Sequence, residues 1–252
     1  MTVYSRNRLK GLAVLVAVGG PLFLAAGLVW QHPVQVDEAV ARFREAGPQA
    51  RLSAPGLPEP GVYRYATSGG ERISFLEHRR EYSDVTARIV TRRGCGVREE
   101  QRFLVQHIEY YDRCGKRLVS YGTDIAYWWT HGTQDFLCRE GSFDGSDLAV
   151  GGRSEWVCGD EDTEARQLVE YVADEVVTVD GTPRPARRTR WTTIFSGATE
   201  GSAVVDDWFD PDTGLVLRED RNIALRVGSP FVGPVTYVDI SAYRLLSTVP
   251  LR

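Results

Sequence analysis

The chain has 252 residues, 42% hydrophobic and 25% charged, with 30 Lys and Arg against 34 Asp and Glu for a formal net charge of −4. Such a length and apolar content allow one sizeable β domain or two small ones. The acidic balance argues against a nucleic-acid partner and against docking onto anionic lipid headgroups.

Gly11–Trp30 reads GLAVLVAVGGPLFLAAGLVW and carries no charge. As a helix rising about 1.5 Å per residue it spans roughly 30 Å, the thickness of a bilayer's hydrocarbon core. Arg6, Arg8 and Lys10 precede it, so the positive-inside rule leaves residues 1–10 in the cytoplasm. Everything after Trp30 is then extracytoplasmic. The run is longer than a signal-peptide core, and no small-x-small cleavage site follows it, which favours an uncleaved anchor. The part beyond it holds 27 basic and 34 acidic residues, a net of −7.

Residues 31–60 form a juxtamembrane stretch. Asp37 is an N-cap for a helix to Ala46, with Ala39, Val40, Phe43 and Ala46 on one face. That face is narrow, so the helix is expected to pack on something larger. Gly47–Pro60, GPQARLSAPGLPEP, reads as an extended linker that lifts the folded domain from the bilayer.

From Gly61 to Arg252 the pattern is strand after strand, an antiparallel β domain of consecutive hairpins. Gly61–Thr67 and Glu71–Leu76 are read as a hairpin about a turn at Ser68–Gly70. Asp84–Thr91 alternates, and Val97–Tyr111 reads as one long strand. Gln167–Val179 turns at Asp180–Gly181 into Arg187–Phe195, and Val235–Leu246 closes the domain. The fold class is mainly β: a transmembrane helix, a short packing helix and a curved antiparallel sheet.

All four cysteines, Cys95, Cys114, Cys138 and Cys158, fall in the exported part. An even count there reads as two disulfides, and the wide spacings suit neither a metal site nor a redox pair. If Val97–Tyr111 is one strand, Cys95 and Cys114 stand roughly 50–60 Å apart, far beyond a disulfide's reach. The expected pairing is therefore Cys95–Cys138 with Cys114–Cys158.

Trp208–Glu219, WFDPDTGLVLRE, is the most distinctive stretch. Asp210, Pro211 and Gly214 suit a tight turn, while the acids miss the register of a calcium loop. Its first eleven residues resemble the W-x-D-P-x-T-G-L-P-L-R segment of the LolA-like superfamily, which includes periplasmic lipoprotein carriers and a regulator of envelope-stress sigma factors. The resemblance implies a curved half-barrel whose concave face holds acyl chains or a partner peptide.

Tyr127, Trp128 and Trp129 adjoin. Neighbours on a strand face opposite ways, so one tryptophan must meet a second apolar surface, such as a ligand groove. His32, His78, His107 and His131 show no zinc spacing. His107 with Asp112 makes a triad only on paper, since no nucleophile elbow accompanies it. Glu99–Glu100 reads as solvated surface. No cofactor, metal or enzymatic activity is implied. The leading function is binding of a lipid, a lipoprotein or an envelope protein at the membrane. The alternatives are a structural or regulatory component of a membrane complex and an envelope hydrolase.

Overall fold

The structure, a computed structural model, describes residues 36–74, 78–115, 117–127, 130–139, 148–228 and 233–252. The expected anchor Gly11–Trp30 lies outside the described residues. Among them, no helix is long and apolar enough to cross a membrane.

Among the described residues, one α-helix, α1 (Val36–Glu45), precedes thirteen strands: β1 (Gly61–Ile73), β2 (His78–Glu81), β3 (Val85–Arg93), β4 (Gly96–Leu104), β5 (His107–Cys114), β6 (Arg117–Tyr127), β7 (Thr130–Cys138), β8 (Arg153–Gly159), β9 (Thr163–Val179), β10 (Thr182–Gly197), β11 (Thr199–Phe209), β12 (Val216–Val227) and β13 (Val235–Leu245). Each pairs antiparallel with its successor from β3 onward, and β13 returns to β1 through a register from Tyr65↔Leu245 to Ile73↔Tyr237. β2 and β3 share the other edge of β1. The result is a closed twelve-stave barrel, not the expected half-barrel. Pairing β13 to β1 satisfies two rows of backbone groups that an open sheet would leave bare.

Gly69 and Gly70 do not make a turn. β1 runs straight through them, with β13 on one side and β2 on the other. A Cβ at Gly69 would stand 2.1 Å from the Ile240 carbonyl oxygen, and φ there is +92°. The glycines serve close strand approach. Nor is Val97–Tyr111 one strand: it folds back at Val105–Gln106 into β4 and β5, with a register shift between Arg102 and Leu104.

That fold-back corrects the disulfides. The bridges are Cys95–Cys114 and Cys138–Cys158, not Cys95–Cys138 and Cys114–Cys158. In the β4–β5 hairpin Gly96 lies opposite Cys114, which brings Cys95 beside it. Cys138 and Cys158 are direct cross-strand partners between β7 and β8. Both links tie hairpin neighbours.

α1 packs Ala39, Val40 and Phe43 onto Val62, Ala87 and Ile89, on the outer face of β1 and β3. The following segment turns through Pro48–Arg51, and Leu57 packs against the main core. Gly47–Pro60 is therefore folded along the barrel. It does not act as an extended spacer, because the helix before it and the strand after it are fixed to the same wall.

Candidate functional site

Alternation along each stave decides what faces the lumen. At one end the inward residues are large and apolar. Tyr63, Tyr65, Phe103, Leu217 and Tyr243 are fully buried there and plug the barrel. Phe103 stacks on Tyr82 at 5.1 Å between ring centres and meets Tyr243 at 5.4 Å. Toward the other end the plug gives way to a cavity of about 740 Å³, within the range of small-molecule sites. Its outer rim carries Ile125, Thr133, Asp162, Ala198 and Val235, beside the connections that follow β6, β8, β10 and β12. Its walls carry Phe136, Trp191, Phe195, Ala203, Ile223 and Leu225. Phe136 stacks on Tyr121 at 4.8 Å and meets Phe195 at 5.9 Å, while Trp191 stands edge-on to Trp156 at 5.4 Å.

Between plug and cavity lies a layer of ionised side chains. Arg88 donates from Nε to Gln101 at 2.8 Å, from Nη1 to Glu99 at 3.3 Å and from Nη2 to Glu219 at 2.8 Å, with its guanidinium 5.0 Å over the Tyr65 ring. Arg113 pairs with Glu99. Arg221 donates to Glu109 at 2.7 Å, lies 3.7 Å from Asp239 and stacks over Phe103. His107 stands between Glu71 at 2.8 Å and Glu109 at 3.6 Å, and Arg80 also pairs with Glu71. Isolated charges at this depth would cost several kcal/mol each, so these ion pairs are what make the layer tolerable.

The electrostatics follow from that pairing. Burial alone would lower His107, but the Glu71 and Glu109 carboxylates outweigh it and push the imidazole up to about 9. Burial alone would raise Glu71, yet His107 and Arg80 hold it at about 2. Glu109 is held well below the usual carboxylate range against its burial by Arg221 and His107. Two acids go the other way. Burial raises Asp239 to about 6 despite Arg221. Burial and the Glu219 carboxylate push Asp207 up to about 8, against the pull of Arg88, Arg113 and Arg221.

No family model matches the chain, and no curated protein matches it. Among solved structures it is similar to the hypothetical lipoprotein YmcC from Escherichia coli (K12), at 11% identity and a TM-score of 0.36 over 89% of this chain and 94% of that one. Likeness of that order carries no argument about function. The barrel interior has to be read on its own chemistry.

β6 ends at Tyr127 and β7 begins at Thr130. Trp128, Trp129 and the Tyr127 side chain lie outside the described residues. Trp208 does pack tightly, donating from Nε1 to Glu175 at 2.7 Å between the Arg188 and Arg218 guanidiniums. Behind it Asp210 builds the expected turn. Its Oδ1 accepts from the Asp212 and Thr213 backbone N–H groups at 3.0 and 2.9 Å and from the Thr213 hydroxyl at 3.0 Å, and Gly214 takes φ +72°. The carboxylate oxygen that a calcium reading would use is thus spent on the turn.

His107, which the sequence already gave no triad partner, does not meet Asp112, which points away and binds Arg98 and Ser120. Two expectations are corrected. Glu99 is not solvated surface but a buried member of the ionic layer, 3% exposed. The cavity occupies the lumen of a closed barrel and does not lie along an open concave face. Sequence alternation carries a signal for this: Glu99 and Gln101 sit between Val97 and Phe103, and Glu219 and Arg221 between Leu217 and Ile223, each set on one strand face. Charges flanked at two-residue spacing by large apolar residues mark a polar layer inside a barrel.

Proposed function

We propose that this chain is an extracytoplasmic binding protein, held at the membrane by Gly11–Trp30, whose barrel takes an amphiphile from its open end. The cavity carries this reading: apolar walls around Trp191, Phe195 and Leu225, and a charged floor at Arg88, Glu219 and Arg221. An aliphatic body fits the walls, each buried methylene contributing about 0.8 kcal/mol. A polar head reaches the floor, where desolvated and fixed charges discriminate by chemistry. Two disulfides accord with an oxidising compartment. The LolA-like resemblance at Trp208–Arg218 adds acyl chains of lipids or lipoproteins as candidate occupants.

The test uses the full chain in lipid nanodiscs and 1-octanol as a neutral probe, with empty nanodiscs subtracted in calorimetry. One saturable site per chain is expected. Ala203→Trp, which puts an indole on the inner wall where Ala203 is 7% exposed, is expected to abolish it while the melting temperature persists. Heat no larger than that of empty nanodiscs would contradict the proposal.

A further inference from the structure

In the ionic layer, one carboxyl stands apart. Glu71 has Arg80 and His107, Glu99 has Arg88 and Arg113, Glu109 has Arg221, Glu219 has Arg88, and Asp239 has Arg221, each within 4 Å. Among the described residues Asp207 has no cation at that distance, and its Oδ1 is shielded from solvent without a hydrogen-bond partner. Asp207 lines the cavity. Directly across the β11–β12 ladder it faces Glu219, on the same inner face. Like charges in that position repel, so the pair lacks one positive group on the side that opens to the lumen.

Resting on the amphiphile reading, we infer that the site is built for a cationic head: an alkyl ammonium whose charge seats between Asp207 and Glu219 while its chain lies along the apolar walls. The incoming cation takes the place of the proton that Asp207 otherwise holds. The balance is complete: R–NH3⁺ enters, an Asp207 carboxylate–ammonium pair forms, and the displaced proton leaves to solvent. The other charges facing Asp207 are Arg88 on β3, Arg113 on β5 and Arg221 on β12. Arg88 and Arg221 are tied to carboxylates, by Glu219 and Glu99 and by Glu109, and Arg113 pairs with Glu99. An anionic head would instead have to displace one of those pairs and approach a carboxyl flanked by a second carboxylate.

The experiment compares octylamine, 1-octanol and octanoate on the full chain in nanodiscs at pH 7. Octylamine is expected to bind at least tenfold more tightly than octanol, and octanoate more weakly than either. Calorimetry in two buffers of different ionisation heat is expected to show close to one proton released per octylamine and none for octanol. Asp207→Asn, which keeps the shape, is expected to bring octylamine to the level of octanol and leave octanol unchanged; Asp207→Leu provides a second fold-competent check. Between pH 8 and pH 6 octylamine should weaken by about fiftyfold in all, following the ionised fraction of Asp207. Equal binding of all three probes, tightest binding of octanoate, or an unaltered octylamine affinity in Asp207→Asn overturns the cation site while leaving the amphiphile reading standing. Absence of binding by octanol and octylamine alike overturns both.

Discussion

Removing the Arg88 guanidinium tests whether the floor of the barrel is held by paired charge. Arg88 is 3% exposed and joins β3 to β4 and β12 through Gln101, Glu99 and Glu219. In Arg88→Met the stem is kept and the charge is lost. Glu99 keeps Arg113, but the nearest cation left to Glu219 is Arg221, at 3.6 Å, and Asp207 lies opposite it. Breaking one side of a buried pair costs about 3–5 kcal/mol, because the remaining charge is stranded. At about 2–4 °C per kcal/mol for a domain of this size, the melting temperature should fall by roughly 6–20 °C, read by circular dichroism on the full chain. Arg88→Met with Glu219→Met should recover much of that loss, since an apolar pair of similar volume leaves nothing uncompensated. A single variant within about 2 °C of the parent, or a double variant less stable than the sum of the singles, would refute the reasoning.

The remaining predictions concern pH, sulfur and ligand length. His107 sits at about 9 in the fold against 6.5 unperturbed, so its contribution is complete below about 6.5 and is lost as pH rises through 9. Asp207 at about 8 against 3.8 likewise favours the fold below its unfolded value and loses that contribution as pH climbs to 8. Glu71, held at about 2 against 4.5, contributes above 4.5 and loses it as pH falls toward 2. Stability should therefore peak near pH 4–5 and decline toward pH 9, with Asp207→Asn flattening the slope between 4 and 8; a level melting profile from pH 5 to 9 would contradict this. Reduction of Cys95–Cys114 or Cys138–Cys158, which close separations of 19 and 20 residues, should cost about 3 kcal/mol each, measured by urea titration with and without reductant. Peptide mapping without reductant should recover these two links and no crossed pair. In the series butanol, hexanol, octanol, affinity should rise about fourfold per methylene, from about 0.8 kcal/mol each, and flat affinity would place the chains outside the cavity.

The sequence made the β character, a helix from Asp37 to Ala46 and the Asp210–Gly214 turn legible, because each rests on local chemistry: alternation, apolar residues on one helix face, an aspartate ahead of proline and glycine. The helix runs from Val36 to Glu45, so Asp37 lies in its first turn and is not the expected N-cap. Closure was not legible. It depends on β13 meeting β1 across more than 160 residues, and no local pattern encodes that partner. The Val97–Tyr111 segment misled for a related reason. Val105–Gln106 carries no glycine, proline or asparagine, so the turn is set by the flanking ladder, and an error there propagated into the cysteine pairing. The site was hidden by the expectation that charge faces water. Glu99, Glu109, Glu219 and Arg221 face inward, and the Arg88–Glu219 and Arg221–Glu109 pairs join residues 131 and 112 apart in sequence, so only the closed barrel reveals that the charges neutralise one another.

The proposed function requires that the lumen hold a small amphiphile, one per chain. Native mass spectrometry of the full chain, purified from membranes and released from detergent in the gas phase, measures this directly. A single retained adduct of small-molecule mass is expected on the parent protein, with its loss in Ala203→Trp. A bare protein mass, or an adduct retained equally by both, would contradict it.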